Sequence, residues 1–172
     1  MIKGEDCTKQ FRAAYENRYT WEPKFCGYKG ECSWSNNVAT SKGSFVVGKD
    51  LKAEVLNLDD QTIHKSVASQ LWEVCIHRVR RPFEQTHGQN IFIAGDENDI
   101  GLEVIVGGKS KGDKYRIKNN KVTMVHRHIH GVLINILTLK TIETGNGYLS
   151  NNYTSQNLEP HSGEPLRGKS FF

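Results

Sequence analysis

Beyond Pro82 the chain is a succession of short strand-like segments, each closed by a turn signal, and no helical period returns. Alternation with a period of two sends successive side chains to opposite faces of a strand. Residues 90–94 and 102–106 flank Gly95-Asp96-Glu97-Asn98-Asp99, which reads as a hairpin loop. Residues 114–118 and 121–130 flank Asn119-Asn120, a tight turn between two strands. Gly131 reads as a break or bulge, residues 132–144 as a long strand, and Gly145-Asn146-Gly147 as its end. Residues 153–157 form another strand, 160–163 the next turn, and 169–172 the start of a last strand. Sixteen glycines against four prolines in 172 residues agree with a chain of many tight turns.

Ahead of Pro82 both periods occur. Asp6 caps a short helix reaching about Asn17, with Phe11, Ala14 and Tyr15 on one side. Tyr28, Gly30, Cys32 and Trp34 alternate with polar residues in a strand, and Ser35-Asn36-Asn37 turns the chain. Residues 44–47 form a second strand. Leu51, Ala53 and Val55 form a third, which ends or bulges near Leu56, where the phase reverses. Asp59 or Asp60 begins the strongest helix, carrying Ile63, Val67, Leu71, Val74, Cys75 and Val79, and Pro82 stops it. The expected fold is α+β and mainly β. It is a single domain, residues 1–172, with a curved antiparallel sheet, or open half-barrel, carrying an N-terminal helix and one long inserted helix.

Composition removes several classes of protein. Hydrophobic residues make up 37% and charged residues 24%, well above a disordered composition. No apolar run approaches the roughly 20 residues of a membrane-spanning helix. Residues 1–6 form no apolar signal region. Four cysteines are too few for a disulfide scaffold. Cys26 and Cys32 read as free thiols, Cys75 as an inert member of the helix stripe, and Cys7 as exposed near the terminus. A formal net charge of +4 favours an anionic partner without implying nucleic acid.

Few residues suggest chemistry. His126, His128 and His130 alternate on one strand face and resemble a catalytic zinc triad. Neighbours on one face of a straight strand lie about 7 Å apart, too far to share one metal without a bulge, and no carboxylate flanks them. The plainer reading is an exposed sheet face with no metal. Gly107-Gly108-Lys109-Ser110 lacks the first glycine of a phosphate loop and leads into a strand, so it reads as a basic hairpin loop. No catalytic set emerges, and neither enzymatic activity nor a cofactor is expected.

Basic residues form the remaining signal. Arg78, Arg80 and Arg81 make one group; Lys109, Lys111, Lys114, Arg116, Lys118 and Lys121 make a second, confined to one hairpin and its entry loop. They are expected to dock onto an acidic protein or lipid surface. Nucleic acid is not expected, because only Tyr115 supplies an aromatic there. An alternative is a half-barrel cavity for a lipid or pigment, lined by Trp34, Phe45, Leu71, Trp72 and Ile136, residues that otherwise fill a core.

Three stretches carry a resemblance: Phe11-Arg12-Ala13-Ala14-Tyr15-Glu16-Asn17-Arg18-Tyr19-Thr20-Trp21, then Arg80-Arg81-Pro82-Phe83-Glu84-Gln85-Thr86-His87-Gly88, then Val125-His126-Arg127-His128 with Gly145-Asn146-Gly147-Tyr148-Leu149 and Tyr153-Thr154-Ser155. Together they are similar to a domain family of unknown function found in cyanobacteria and plastid-bearing eukaryotes. Its strand and helix pattern also resembles the half-barrels of bacterial lipoprotein carriers. The resemblance implies residence in the chloroplast stroma or the cyanobacterial cytoplasm, associated with the thylakoid. It also implies a non-enzymatic accessory or assembly protein, peripheral rather than integral. In its most concrete form this is an extrinsic stromal-side subunit of photosystem I. Family members usually continue past Phe171 with strand-like sequence that would help to close a pocket.

Overall fold

The computed structural model describes residues 4–172; residues 1–3, where the N-terminal stretch without an apolar signal region begins, lie outside the described residues. The chain forms two compact units, and residues 20–80 are inserted in sequence between the two parts of the other, residues 4–19 and 81–172.

Helix α1 (Gly4–Glu16) belongs to the larger unit. Cys7, Phe11, Ala14 and Tyr15 fall at i, i+4, i+7 and i+8, and all four are buried. Cys7 is therefore in the core, not exposed: the helix starts before Asp6 and carries Cys7 onto the apolar stripe.

The smaller unit follows the sequence pattern except that Leu51 lies in a turn, with φ 64°, ahead of the third strand, and Val79 lies beyond the end of the long helix. Strands β1 (Tyr28–Ser35), β2 (Thr40–Val47) and β3 (Ala53–Leu56) form a three-stranded antiparallel sheet in that order. The Asn36 side chain accepts the backbone N–H groups of Val38 and Ala39 and closes the first hairpin. Asn57 takes φ 57° where the third strand ends. Helix α2 (Gln61–His77) starts at Asp60, whose carboxylate accepts the N–H groups of Thr62 and Ile63, a cap worth about 1 kcal/mol. The helix lies on β3, with His64 Nε2 3.1 Å from the Val55 carbonyl oxygen.

The rest of the larger unit is a short helix α3 (Phe83–His87) and seven strands: β4 (Asn90–Asn98), β5 (Gly101–Gly108), β6 (Lys114–Lys118), β7 (Lys121–Ile129), β8 (Val132–Glu143), β9 (Tyr148–Leu158) and β10 (Pro165–Phe171). They pair antiparallel in sequence order, leaving β4 and β10 as edges, and neither sheet closes into a barrel. The protein is thus α+β and mainly β. Helix α1 packs across β4, β6 and β7. Its buried stripe meets Phe92, Val104, Val106, Tyr115 and Ile117 in one core.

Strand β10 begins at Pro165 and not near Lys169, and four further features differ from the sequence pattern. The strands divide between two sheets instead of one, and the long helix lies on the smaller. Pro82 precedes a new helix: proline suits a helix start, and Phe83 and His87, at i and i+4, are buried beside Phe11. Residues 95–98 belong to β4 as a bulged continuation, and the loop shrinks to Asp99-Ile100. Arg116 on β6 holds Asp96 there, which overrides the turn chemistry of Gly-Asp-Glu-Asn. Strand β9 begins at Tyr148, because its polar residues through Asn152 pair with the end of β8. The Asn119-Asn120 turn is as expected, with φ 52° and 60°.

Candidate docking surface

Strand β4 opens with Asn90-Ile91-Phe92-Ile93-Ala94. Phe92 points under α1 and is 3% exposed, whereas Ile91 and Ile93 point away from it and are 62% and 54% exposed. Their neighbours on that face are Gly107 and Ile105 of β5, the latter paired with Lys114 of β6. Because β4 is an edge, the second row of its backbone groups faces no strand. Two bulky apolar side chains on an unpaired edge are uncommon, since such edges invite association.

A basic loop borders this edge. Residues 109–113 join β5 to β6, and the loop is tied to the start of β4: the Lys109 N–H donates to the Gln89 carbonyl, and the Ser110 N–H to Asn90 Oδ1. Lys109 and Lys111 are exposed, and neither has an ion-pair partner among the described residues. Lys114, on the same face as Ile93 and Ile105, reaches Glu103 at 3.4 Å. The result is an apolar edge with two uncompensated cations at one end.

Of the other basic residues, Arg116 is internal and not the surface cation expected from the sequence: it is 9% exposed, forks onto both oxygens of Asp96 at 3.0 Å, and donates to the Gly101 carbonyl at 2.9 Å. The fork holds the Asp96 carboxyl below its ordinary pKa. Lys118 donates to the Asp99 carbonyl, and Lys121 engages Thr141 and Glu143. Arg78 and Arg80 lie in the smaller unit, where Arg78 covers the Trp21 ring and Arg80 reaches Thr20 Oγ1. Arg81 lies in the larger unit, exposed, with its carbonyl accepting the Tyr15 hydroxyl.

A match to a family model described as "Protein of unknown function (DUF3386)" runs over residues 2–172. The chain belongs to the DUF3386 family. No curated protein and no solved structure matches it.

In this DUF3386 domain the alternating histidines separate. Ile129 pairs with Val132, so His130 and Gly131 form the two-residue turn between β7 and β8, with φ 51° and 76°. His130 has left the strand face. His126 and His128 remain neighbours, with ring centres 5.9 Å apart. Burial pushes the His126 pKa down, and His128 and Lys114 add to this. No group of three His, Cys, Asp or Glu is placed to hold a metal ion among the described residues. Asp113 is nearby, but it is committed: it accepts the His128 backbone N–H and the Arg127 side chain, both at 3.0 Å.

The five residues read as a cavity lining fall in both units. Trp34, Phe45, Leu71 and Trp72 belong to the smaller unit and Ile136 to β8 of the larger. Trp72 is 56% exposed, and Phe45 packs its ring on Tyr28. Two depressions lie elsewhere. One of about 570 Å³ is polar and lined by Glu31, Lys42, Ser44 and Asn57. The other, about 290 Å³, is lined by Gln10, Leu102, Ile117 and Asn119. All four cysteines are free, and burial raises the thiol pKa of Cys7, Cys32 and Cys75.

The sequence points to Lys109 and Lys111 as exposed cations, but nothing in it singles out Ile91 and Ile93. Ile-Phe-Ile reads as a strand buried on both faces. Its sequence carries no sign that one face stays uncovered.

Proposed function

We propose that this protein is a non-enzymatic accessory or assembly protein that docks peripherally on a photosynthetic membrane complex, with an extrinsic stromal-side place on photosystem I as the most concrete form. The supporting observation is the exposed pair Ile91 and Ile93 on the β4 edge, bordered by Lys109 and Lys111. Burying an isoleucine completely is worth about 1.5–3 kcal/mol. Two partly exposed ones offer roughly 2–3 kcal/mol to a partner that covers them. The lysines add orientation and a faster encounter with an acidic surface. The photosynthetic setting rests on the resemblance in sequence. No described helix is long and apolar enough to cross a membrane, and a peripheral position suits that.

Native fractionation of gently solubilised thylakoids tests the reading, with the protein located by mass spectrometry. Co-migration with a photosystem in stoichiometric amount is expected. Migration as a free species, before and after a mild salt wash, overturns it.

A further inference from the structure

We propose that the β4 edge binds a partner protein by strand addition, taking an extended acidic and apolar segment alongside residues 90–94. This rests on the docking reading and specifies its partner. The two edges of the seven-stranded sheet are built differently. Strand β10 carries Pro165, Arg167 and Lys169 and a register shift between Pro165 and Arg167, the usual devices against unwanted pairing. Strand β4 holds an unbroken register with β5 from Asn90 to Ala94, and its bulge comes only between Ala94 and Glu97. The regular half is the half that carries Ile91 and Ile93.

The chemistry of the segment follows from the two faces of this edge. Main-chain hydrogen bonds to an added strand supply affinity, and alternate side chains supply selectivity. Beside Ile91 and Ile93 the segment needs apolar residues two apart. Its other face lies toward α1, whose exposed Arg12 pairs with Glu16 and with Glu84 of α3, so polar residues belong there. At the Asn90 end it meets Lys109 and Lys111, anchored there by the Gln89 and Asn90 hydrogen bonds, so acidic residues belong at that end.

The test pans a phage-displayed library of random linear peptides against the full chain, with the Ile91→Lys/Ile93→Lys chain as the counter-selection. Both isoleucines are exposed, so the variant folds, and circular dichroism checks this. The expected winners alternate apolar and polar residues and carry acidic residues at one end. Their binding slows amide exchange in residues 90–94. It weakens about tenfold or more when alternate peptide amides are N-methylated. Lys109→Glu/Lys111→Glu weakens it and flattens its salt dependence. No enrichment over the counter-selected variant, or winners indifferent to N-methylation, overturns strand addition. So does flotation of the wild type, but not the isoleucine variant, with vesicles of phosphatidylglycerol and phosphatidylcholine when no peptide is enriched, because the edge then serves a lipid surface. Co-migration with a photosystem alongside negative panning leaves the docking reading standing and removes strand addition. Positive panning without co-migration does the reverse.

Discussion

His87 is a titratable ring inside an aromatic core. It is 7% exposed, with the rings of Phe11, Tyr15, Phe83 and Phe92 centred 4.9–5.8 Å away. Burial pushes its pKa down to about 4, Arg127 and Arg18 add to this, and Asp113 opposes it. The unfolded chain binds the proton near 6.5, so between these values it holds more protons than the folded one. Stability is full above that range and falls as pH drops through it. Urea midpoints should show a loss of about 2 kcal/mol between pH 7 and pH 5, and His87→Phe should flatten that slope. Arg116 makes the second prediction. Arg116→Met strands the buried Gly101 carbonyl and should cost about 1–3 kcal/mol in denaturant titration. Arg116→Lys should recover little, because an ammonium cannot reproduce the fork. Asp96→Asn should cost far less than Arg116→Met, because Asp96 is largely exposed.

Turns set the registers of the elements. Gly101 has φ 125°, and a Cβ there would lie 2.2 Å from the Ile117 carbonyl oxygen on the neighbouring strand. Gly101→Ala should therefore cost about 3 kcal/mol or more and lower the melting temperature by at least roughly 6–12 °C. Asn120→Gly, in a turn that already holds φ 60°, should shift it by only a degree or two, less than about 0.5 kcal/mol. Equal effects would mean that the β4–β5 hairpin can slide in register. The His130-Gly131 turn shows the functional weight of one residue: it removes a third imidazole from the face that carries His126 and His128. That was not legible in the alternation of the histidines, which looks the same whether the strand ends at Ile129 or at His130.

Across the whole molecule the thiols are a measure of packing. Cys26 is exposed, Cys32 half-buried, and Cys7 and Cys75 buried. A thiol reagent under native conditions should modify Cys26 first and Cys32 slowly, and reach Cys7 and Cys75 only on unfolding. Mass spectrometry of the labelled chain reads this directly; prompt labelling of Cys75 would show that α2 opens from β3. Charge acts at the same scale. The net charge is small, so loss of Lys109 and Lys111 should change association with an acidic partner mainly at low salt, within a Debye length of about 10 Å at 0.1 M.

Local chemistry was enough to determine the helix at Asp60, the Asn119-Asn120 turn, the stripe of α1 and the antiparallel, mainly β class. Each depends on side chains within a few residues of one another, whose periodicity or cap is complete in the sequence. Only the tertiary structure decided that Asp96 stays in a strand, that Arg116 is internal, and that the strands divide between two sheets. Those outcomes turn on contacts between residues distant in sequence, where an ion pair or a packed ring outweighs a local turn preference of a few tenths to about 1 kcal/mol. The exposure of Ile91 and Ile93 belongs to the same class. A strand's hydrophobicity is written in its own residues, whereas the surface that covers it, or leaves it open, is supplied by the rest of the fold.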